Sequence, residues 1–344
     1  MTQFADVFDS IDAKGNREDL TDMIYRISPT ETPFVTMVAG RESAEAIEHE
    51  WQVDALAAAA VNAVLEGDQI ATTPALVATG RNANGQQIMR KTLSVSGTQE
   101  SVRHAGRASE LAYQIAKAGE ELKRDMEVGF SQKTQHIVRT ATVIGQASGY
   151  ENWVGFHNTG QGVGLETVSR GASGLNATPV PFGFFATDGS TAGTGKTPST
   201  TAVAVDGTQR PLTEALLKGV IQMVWTNGGK ADVILAGPKN KQNISAFSGN
   251  ATRFINADDK ELIAGIDWYT SDFGRHKIVP SRFNRDRTVG VLTSELWAVA
   301  YLRPYMTVKL AKVADAENRM LLTEATLVCR NLSGNGAVAD LTTT

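Results

Sequence analysis

Residues 108–144 read ASELAYQIAKAGEELKRDMEVGFSQKTQHIVRTATVI. Leu111, Ile115, Ala118, Leu122, Met126, Phe130, Ile137, Ala141 and Ile144 recur at three- and four-residue steps, with one gap near Lys133. Between them stand Glu120, Glu121, Lys123, Arg124, Asp125 and Glu127. That is the period of an amphipathic helix with one apolar stripe. Ser109 or the residues before it can cap the start. A helix over 108–144 would be roughly 55 Å long at ~1.5 Å per residue, about three times the average globular helix. Gly119 and Gly129 lie inside it, each costing ~1 kcal/mol relative to alanine, and mark where such a helix can bend.

Upstream the period changes. Ile47, His49, Trp51 and Val53 alternate with Glu48, Glu50, Gln52 and Asp54, as in a half-buried strand. Residues 87–96 alternate again, with Met89, Lys91, Leu93 and Val95 opposing Arg90, Thr92, Ser94 and Ser96. Between them lie an alanine-rich run from Ala55 to Val64 and an Asn84-Gly85 turn signal. The simplest arrangement is a long two-stranded excursion built from 47–54 and 87–96. Such a hairpin is marginal alone in water, so it is expected to rest on a partner subunit. Residues 1–46 are broken by Gly15, Pro29, Pro33 and Gly40. Each proline of Ile27–Phe34 biases its predecessor to extended geometry, which predicts an extended arm with one short helix near Glu18–Arg26. Trp51, Val53, Met89, Leu93 and Phe34 are the candidate inter-subunit contacts.

Downstream, 145–210 is dominated by glycine, serine, threonine and alanine, with Pro179, Pro181 and Pro198, and reads as a loop-rich insertion. From 211 the pattern is regular α/β. Pro211-Leu212-Thr213-Glu214 opens a helix closed by Asn227-Gly228-Gly229. A strand at Asp232–Ala236 and a second short helix over about 239–248 follow. Further strands are predicted at Trp268–Ser271, His276–Pro280, Val289–Thr293, Trp297–Leu302, Met306–Leu310 and Arg319–Val328.

Composition narrows the function. Hydrophobic residues make up 42% and charged residues 20% of 344, as in an ordinary folded protein. The formal net charge is -4, whereas proteins that grip nucleic acid carry a basic excess to neutralise phosphates. The single cysteine, Cys329, excludes an intrachain disulfide and any multi-cysteine metal site, and its apolar neighbours predict a buried, inert thiol. Neither a signal peptide nor an apolar run of membrane-spanning length is visible, so a cytoplasmic folding compartment is expected.

Several motifs invite a catalytic reading and fail on spacing. Gly195-Lys196-Thr197 would close a phosphate-binding loop, but Ser190 occupies the required first glycine and Pro198 follows where a helix should open. Gly160, Gly162 and Gly164 lack the dinucleotide spacing. The five histidines (His49, His104, His136, His157, His276) include no helical zinc pair, and each reads as a surface or strand residue. Gly171-Ala172-Ser173-Gly174 lacks the spacing of a nucleophile elbow. Asp258-Asp259 with Glu261 reads as solvated charge. The five tryptophans fall on separate elements and suit core or interface anchors better than a base-stacking platform.

An ordered series then stands out: ISPTETPF at 27–34, Glu50-Trp51-Gln52, Glu121–Glu127, Ser271-Asp272-Phe273-Gly274 leading to Ile278-Val279-Pro280, Tyr301-Leu302-Arg303-Pro304, Leu310-Ala311-Lys312 and Glu324-Ala325-Thr326-Leu327. In that order these resemble the major capsid proteins of tailed bacteriophages with a Hong Kong 97-like fold. The series departs at Lys312–Asp315, where a glycine-containing turn is expected. The resemblance implies an α+β fold with an N-terminal arm (1–46) and an extended E-loop hairpin (47–96). A peripheral domain (97–150 and 296–332) would carry a spine helix (108–144). The rest would be an insertion (151–210), an axial domain (211–295) and a C-terminal tail (333–344).

It also implies a non-enzymatic shell subunit with no cofactor and no metal, forming hexamers and pentamers of itself. The icosahedral or prolate head so built would enclose double-stranded DNA without sequence-specific binding or any membrane. Expected partners are a separate scaffolding protein, a portal and a decoration protein, with assembly in the bacterial host cytoplasm. No lysine–asparagine pair for covalent crosslinking is matched, so a non-covalent shell is expected. The alternatives are an encapsulin-type compartment shell and a P-loop nucleotide hydrolase.

Overall fold

The computed structural model describes residues 27–38, 40–54, 56, 59–67, 79–156, 185–187, 196–198, 209–247, 255–256, 261–262, 266–312, 314–332 and 334–343. The helix expected near Glu18–Arg26, the glycine and serine motifs of 160–174, the Asp258-Asp259 pair and most of the 189–197 loop lie outside them. In chain order come α1 (Pro33–Met37), β1 (Gly40–Ser43), β2 (Glu48–Val53), β3 (Gly80–Gly85), β4 (Gln87–Ser96), α2 (Gly97–Ser101) and α3 (Glu110–Ser131). Then follow β5 (Gly155–Phe156), β6 (Phe185–Thr187), β7 (Lys196–Pro198), α4 (Glu214–Thr226), β8 (Val233–Ala236) and α5 (Pro238–Ser245). The remaining strands are β9 (Ile255–Asn256), β10 (Glu261–Leu262), β11 (Trp268–Ser271), β12 (Gly274–Pro280), β13 (Val289–Leu292), β14 (Trp297–Lys309), β15 (Ala316–Cys329) and β16 (Gly336–Val338).

The long helix begins as expected. Ser109 accepts the Ala112 amide at 3.2 Å, and Ala118, Leu122, Met126 and Phe130 are buried at four-residue steps. It ends at Ser131, however, after 22 residues, well short of 144. Thr134 supplies the stop, its hydroxyl lying 2.7 Å from the Gly129 carbonyl and 2.9 Å from that of Ala147. The chain beyond folds back through a bridge between Ile137 and Gln146. A Cβ on Gly149 would stand 1.8 Å from the Gln132 carbonyl oxygen, so only glycine permits this return. The apolar residues after the gap do not continue the stripe: Val143 and Ile144 are exposed.

Strand pairing also differs from the expectation. The 47–54 strand does not pair with 87–96; β2 pairs antiparallel with β3, from Glu48 opposite Gly85 to Val53 opposite Gly80. β4 instead pairs with β15, from Ala316 opposite Ser96 to Ala325 opposite Gln87. Alternation shows that a strand has one buried face, not which strand lies beside it. Asn84-Gly85 is accordingly the end of β3, not a hairpin turn.

The two large sheets organise two cores. The first has the order β1-β14-β15-β4 and carries α3 across β4. Its core contains Phe34, Leu122, Met126, Phe130, Tyr150, Trp153, Trp297, Leu327 and Cys329. The two strands expected at 297–302 and 306–310 are one, β14, which passes through Pro304 with register shifts between Tyr301 and Met306. Proline fits there because, among the described residues, β1 pairs with β14 at Ala298–Tyr301 and no strand continues along that edge. The second sheet has the order β11-β12-β8-β13-β16-β5 and is packed by α4 and α5. Val233–Ala236 and Val289–Leu292 are buried at every position, the uniform pattern of strands covered on both faces.

Two further expectations are corrected here. The stretch read as a tail, 333–344, supplies β16 inside the second sheet, with Ala337, Val338 and Leu341 fully buried. The arm is not wholly extended: Pro33 opens a short helix, as proline at N1 can.

Candidate functional site

Phe34, read as a contact to another subunit, lies in the chain's own core, with ring centroids 5.2 Å from Tyr150 and 5.9 Å from Trp297. The arm is fastened there by Glu127 of α3. Its carboxylate accepts the Phe34 amide at 2.9 Å and the Val35 amide at 2.8 Å. Glu127 is fully buried although the helical pattern placed it among the solvated charges. Burial pushes its carboxyl above the ordinary carboxylate range, outweighing the two amides and the Ser281 hydroxyl that pull it down. Two further buried carboxylates clamp loops onto the sheets. Glu324 pairs with Arg139 and, at 2.8 Å, with Arg303, and Glu151 pairs with Arg285 at 3.1 Å.

The other expected contacts are distributed along the same body. Met89 is buried in the first core and Leu93 packs at its margin. Trp51 donates its indole N–H to the Cys329 carbonyl at 3.0 Å and sits 5.3 Å from Trp153. Val53 is half-buried at the end of β2. Just past it the chain exposes Leu56 (99%), Val61 (96%), Val64 (76%) and Leu65 (83%). Sequence reading noted this alanine-rich run but named none of its large residues. The available signal was a run of apolar side chains with no alternating polar face. Gly119 and Gly129 both lie in α3, and a Cβ on either would meet its nearest neighbour at ordinary distance, 3.6 Å from Leu321 and 3.7 Å from Gln87.

One arrangement has the outline of a catalytic pair. The Ser271 hydroxyl is 2.6 Å from His276 Nε2, and His276 Nδ1 contacts the Ala231 carbonyl. A carbonyl only accepts, so Nδ1 carries the proton and Nε2 takes the serine's. The same Ser271 oxygen accepts the Phe273 amide at 3.2 Å inside the tight β11–β12 turn, so the pair fastens a hairpin. His276 is a strand residue of β12, as expected, and is buried; His136 is buried in the loop after α3, neither at the surface nor in a strand. Burial pushes the Cys329 thiol up and leaves it inert. Among the described residues no group of three His, Cys, Asp or Glu side chains could hold a metal ion, and no helix is long and apolar enough to cross a membrane.

The described residues thus show two apolar cores, the first of which also takes in Leu235, Leu292 and Ala337 of the second sheet, an arm tied to the long helix, and exposed Leu56, Val61, Val64 and Leu65 past the ribbon. Comparison with known proteins agrees. The family model described as SU10 major capsid protein matches residues 2–342. The major capsid protein of Escherichia phage Phieco32 is 29% identical over 354 residues, covering 96% of each chain. The capsid of cyanophage A-1(L) superposes with a TM-score of 0.61 at 14% identity, over 95% of this chain and 97% of that one. The capsid of a native GTA particle gives 0.59 at 12%, over 97% and 98%, and that of Myoviridae phage XM1 gives 0.55 at 10%, over 94% and 97%.

Proposed function

The chain belongs to the SU10 major capsid protein family, and on that premise we propose that it builds its shell from hexamers and pentamers in which the 54–67 excursion lies on a neighbouring copy. It is a structural subunit of a tailed-phage capsid with the Hong Kong 97-like α+β fold, and not an enzyme. The observation that carries the proposal is the exposure of Leu56, Val61, Val64 and Leu65 beside a ribbon that is otherwise anchored. Apolar area left in water costs ~25 cal/mol per Å², and a patch of this kind marks an interaction surface. Many such weak, repeated contacts let a shell close by symmetry.

In this reading 1–46 act as the arm, β2 and β3 with the chain between them as the E-loop, β4 with 97–150 and 296–332 as the peripheral domain, and 211–295, completed by β16, as the axial domain. The interior holds double-stranded DNA without reading its sequence, in keeping with the net charge of -4. A separate scaffolding protein and a portal take part, a decoration protein binds outside, and assembly occurs in the host cytoplasm. Trp51 sets the ribbon's angle from within the chain, while Val53 and the four exposed residues beyond it make the contact. Gly119 and Gly129 let α3 bend in a rounded precursor and straighten in the expanded shell.

Negative-stain microscopy of the expressed protein tests the reading: closed shells or tubes are expected. Shells from the Leu56→Ser/Leu65→Ser variant should be scarce while its chain stays folded. A compact monomer persisting at high concentration, with 54–67 protected from protease, would overturn it. With both glycines changed to alanine, assembly should persist and the expansion pH or temperature should move; unchanged expansion removes the hinge.

A further inference from the structure

Two apolar features stand on opposite faces of the first sheet. One is the tip of the loop that follows α3. Ile137 and Gln146 exchange backbone hydrogen bonds at 3.0 and 2.9 Å, closing residues 137–146 into a tongue. At its tip the Thr140 amide donates to the Val143 carbonyl at 3.2 Å, and the Thr140 hydroxyl accepts the Val143 amide at 3.1 Å. Arg139 ties the tongue to buried Glu324. A Cβ on Gly145 would lie 2.8 Å from the Gln86 carbonyl oxygen, so the tongue is pressed against the β3–β4 junction. What this fastening holds out is apolar: Ile144 is 86% exposed and Val143 45%.

The other is a half-open groove of about 280 Å³ between the arm and α3. Ile27, Tyr113, Lys117, Glu120, Glu121 and Arg124 are among the residues lining it. Successive residues of a strand point to opposite sides of its sheet. Leu321 of β15 meets α3 at Gly119, and its ladder partner Lys91 pairs with Asp125 of α3 at 2.7 Å. Glu324, three residues on, points to the other side, where the tongue's Arg139 reaches it. Charge then selects what suits the groove. Its walls set Lys117 and Arg124 against Glu120 and Glu121, with Lys117 4.0 Å from Glu121, so a neutral occupant fits best. No residue from Thr140 to Gly149 is charged. Two other exposed apolar stretches bring charge with them: Asp54 and Glu66 bracket Leu56–Leu65, and Trp268 lies 4.3 Å from the Arg275 guanidinium.

We propose that the Val143–Ile144 tip of one copy seats in the groove between α3 and the arm of the next copy. The contact is heterologous, because tip and groove are different patches on opposite faces, and contacts of that kind can close into rings. The tongue is already fixed by its own hydrogen bonds, so docking orders little further chain. The inference rests on the shell reading above, since it needs neighbouring copies, but not on where 54–67 docks.

Cys329 is the chain's single cysteine and is buried, so introduced thiols report the contact. Particles of the full chain carrying Ile144→Cys with Lys117→Cys should, on mild oxidation, link in series and give a ladder of multimers on a non-reducing gel. Neither single variant should link. Particles that form without multimers would overturn this proposal alone, whereas an unaltered chain that never assembles would remove the shell reading with it. Dimers from Ile144→Cys alone would mean tip-to-tip contact and overturn the proposal. So would a Lys117→Cys thiol shielded from reagent in the dissociated chain, because the chain's own residues would then fill the groove. Ile144→Asp, at an exposed site, should leave folding intact and raise the concentration needed for assembly about tenfold; an unchanged threshold would overturn the proposal.

Discussion

The second sheet and the β2–β3 ribbon handle apolar residues in opposite ways. In the sheet, β8 and β13 are buried at every position, α4 covers one face with Leu217, Val220, Ile221 and Val224, and strands as distant in sequence as β5 and β16 fill the edge. In the ribbon a two-stranded ladder pairs, among the described residues, with neither large sheet, and the chain beyond it exposes Leu56, Val61, Val64 and Leu65. Among the described residues, one region buries its apolar side chains within the single chain and the other leaves them exposed. Substitutions of similar chemistry should therefore register in folding for the first and in assembly for the second.

The largest effect should come from Leu217→Ala, whose side chain is fully buried between α4 and the second sheet. A cavity there is expected to cost about 3 kcal/mol in denaturant unfolding; a loss under about 1 kcal/mol would mean that the sheet tolerates looseness like the ribbon. Next is Glu127→Ala, which strands the buried Phe34 and Val35 amides and should cost about 2 kcal/mol, with increased protease cleavage near residue 33. Glu127 also predicts a pH dependence. Burial raises its carboxyl in the folded chain, so the folded state holds the proton more tightly than the unfolded one. Stability should then fall as pH climbs from the ordinary carboxylate value through the raised one. Thermal melts of Glu127→Gln across that range should lack this limb.

Smaller still is Gly119→Ala, where the added methyl meets Leu321 at 3.6 Å. A gain of about 0.5–1 kcal/mol is expected from helix propensity alone, and a loss would show that α3 needs a bend there even in the isolated chain. The smallest effect on folding belongs to Leu56→Ser with Leu65→Ser. Unfolding should change by no more than about 0.5 kcal/mol while particle yield collapses. A large loss of chain stability would erase the contrast between the two regions.

The features that were legible in the sequence are those written locally. The Ser109 and Thr213 caps, the stripe from Ala118 to Phe130 and the alternation of 48–53 each leave a mark within a few residues of where they act. The family series was legible for the same reason, because order along the chain survives divergence. Phe34 and Met89 turned out to be buried in the chain's own core, because an apolar face says that it must be covered, not by what. Glu127 was misread because a carboxylate on a helix looks solvated until the arm that needs it is in place.

Sequence by itself determined the start and apolar stripe of α3, most of the helices and strands after residue 211 and, through the ordered family series, that the molecule is a shell subunit rather than a catalyst. Tertiary structure alone decided that β2 lies beside β3 while β4 lies beside β15, that α3 stops at Ser131 against Thr134, and that the C-terminal stretch enters a sheet as β16. The physical reason is range. Periodicity and capping arise between residues a turn or a pleat apart, whereas partners are chosen by packing between residues that only the folded chain brings together.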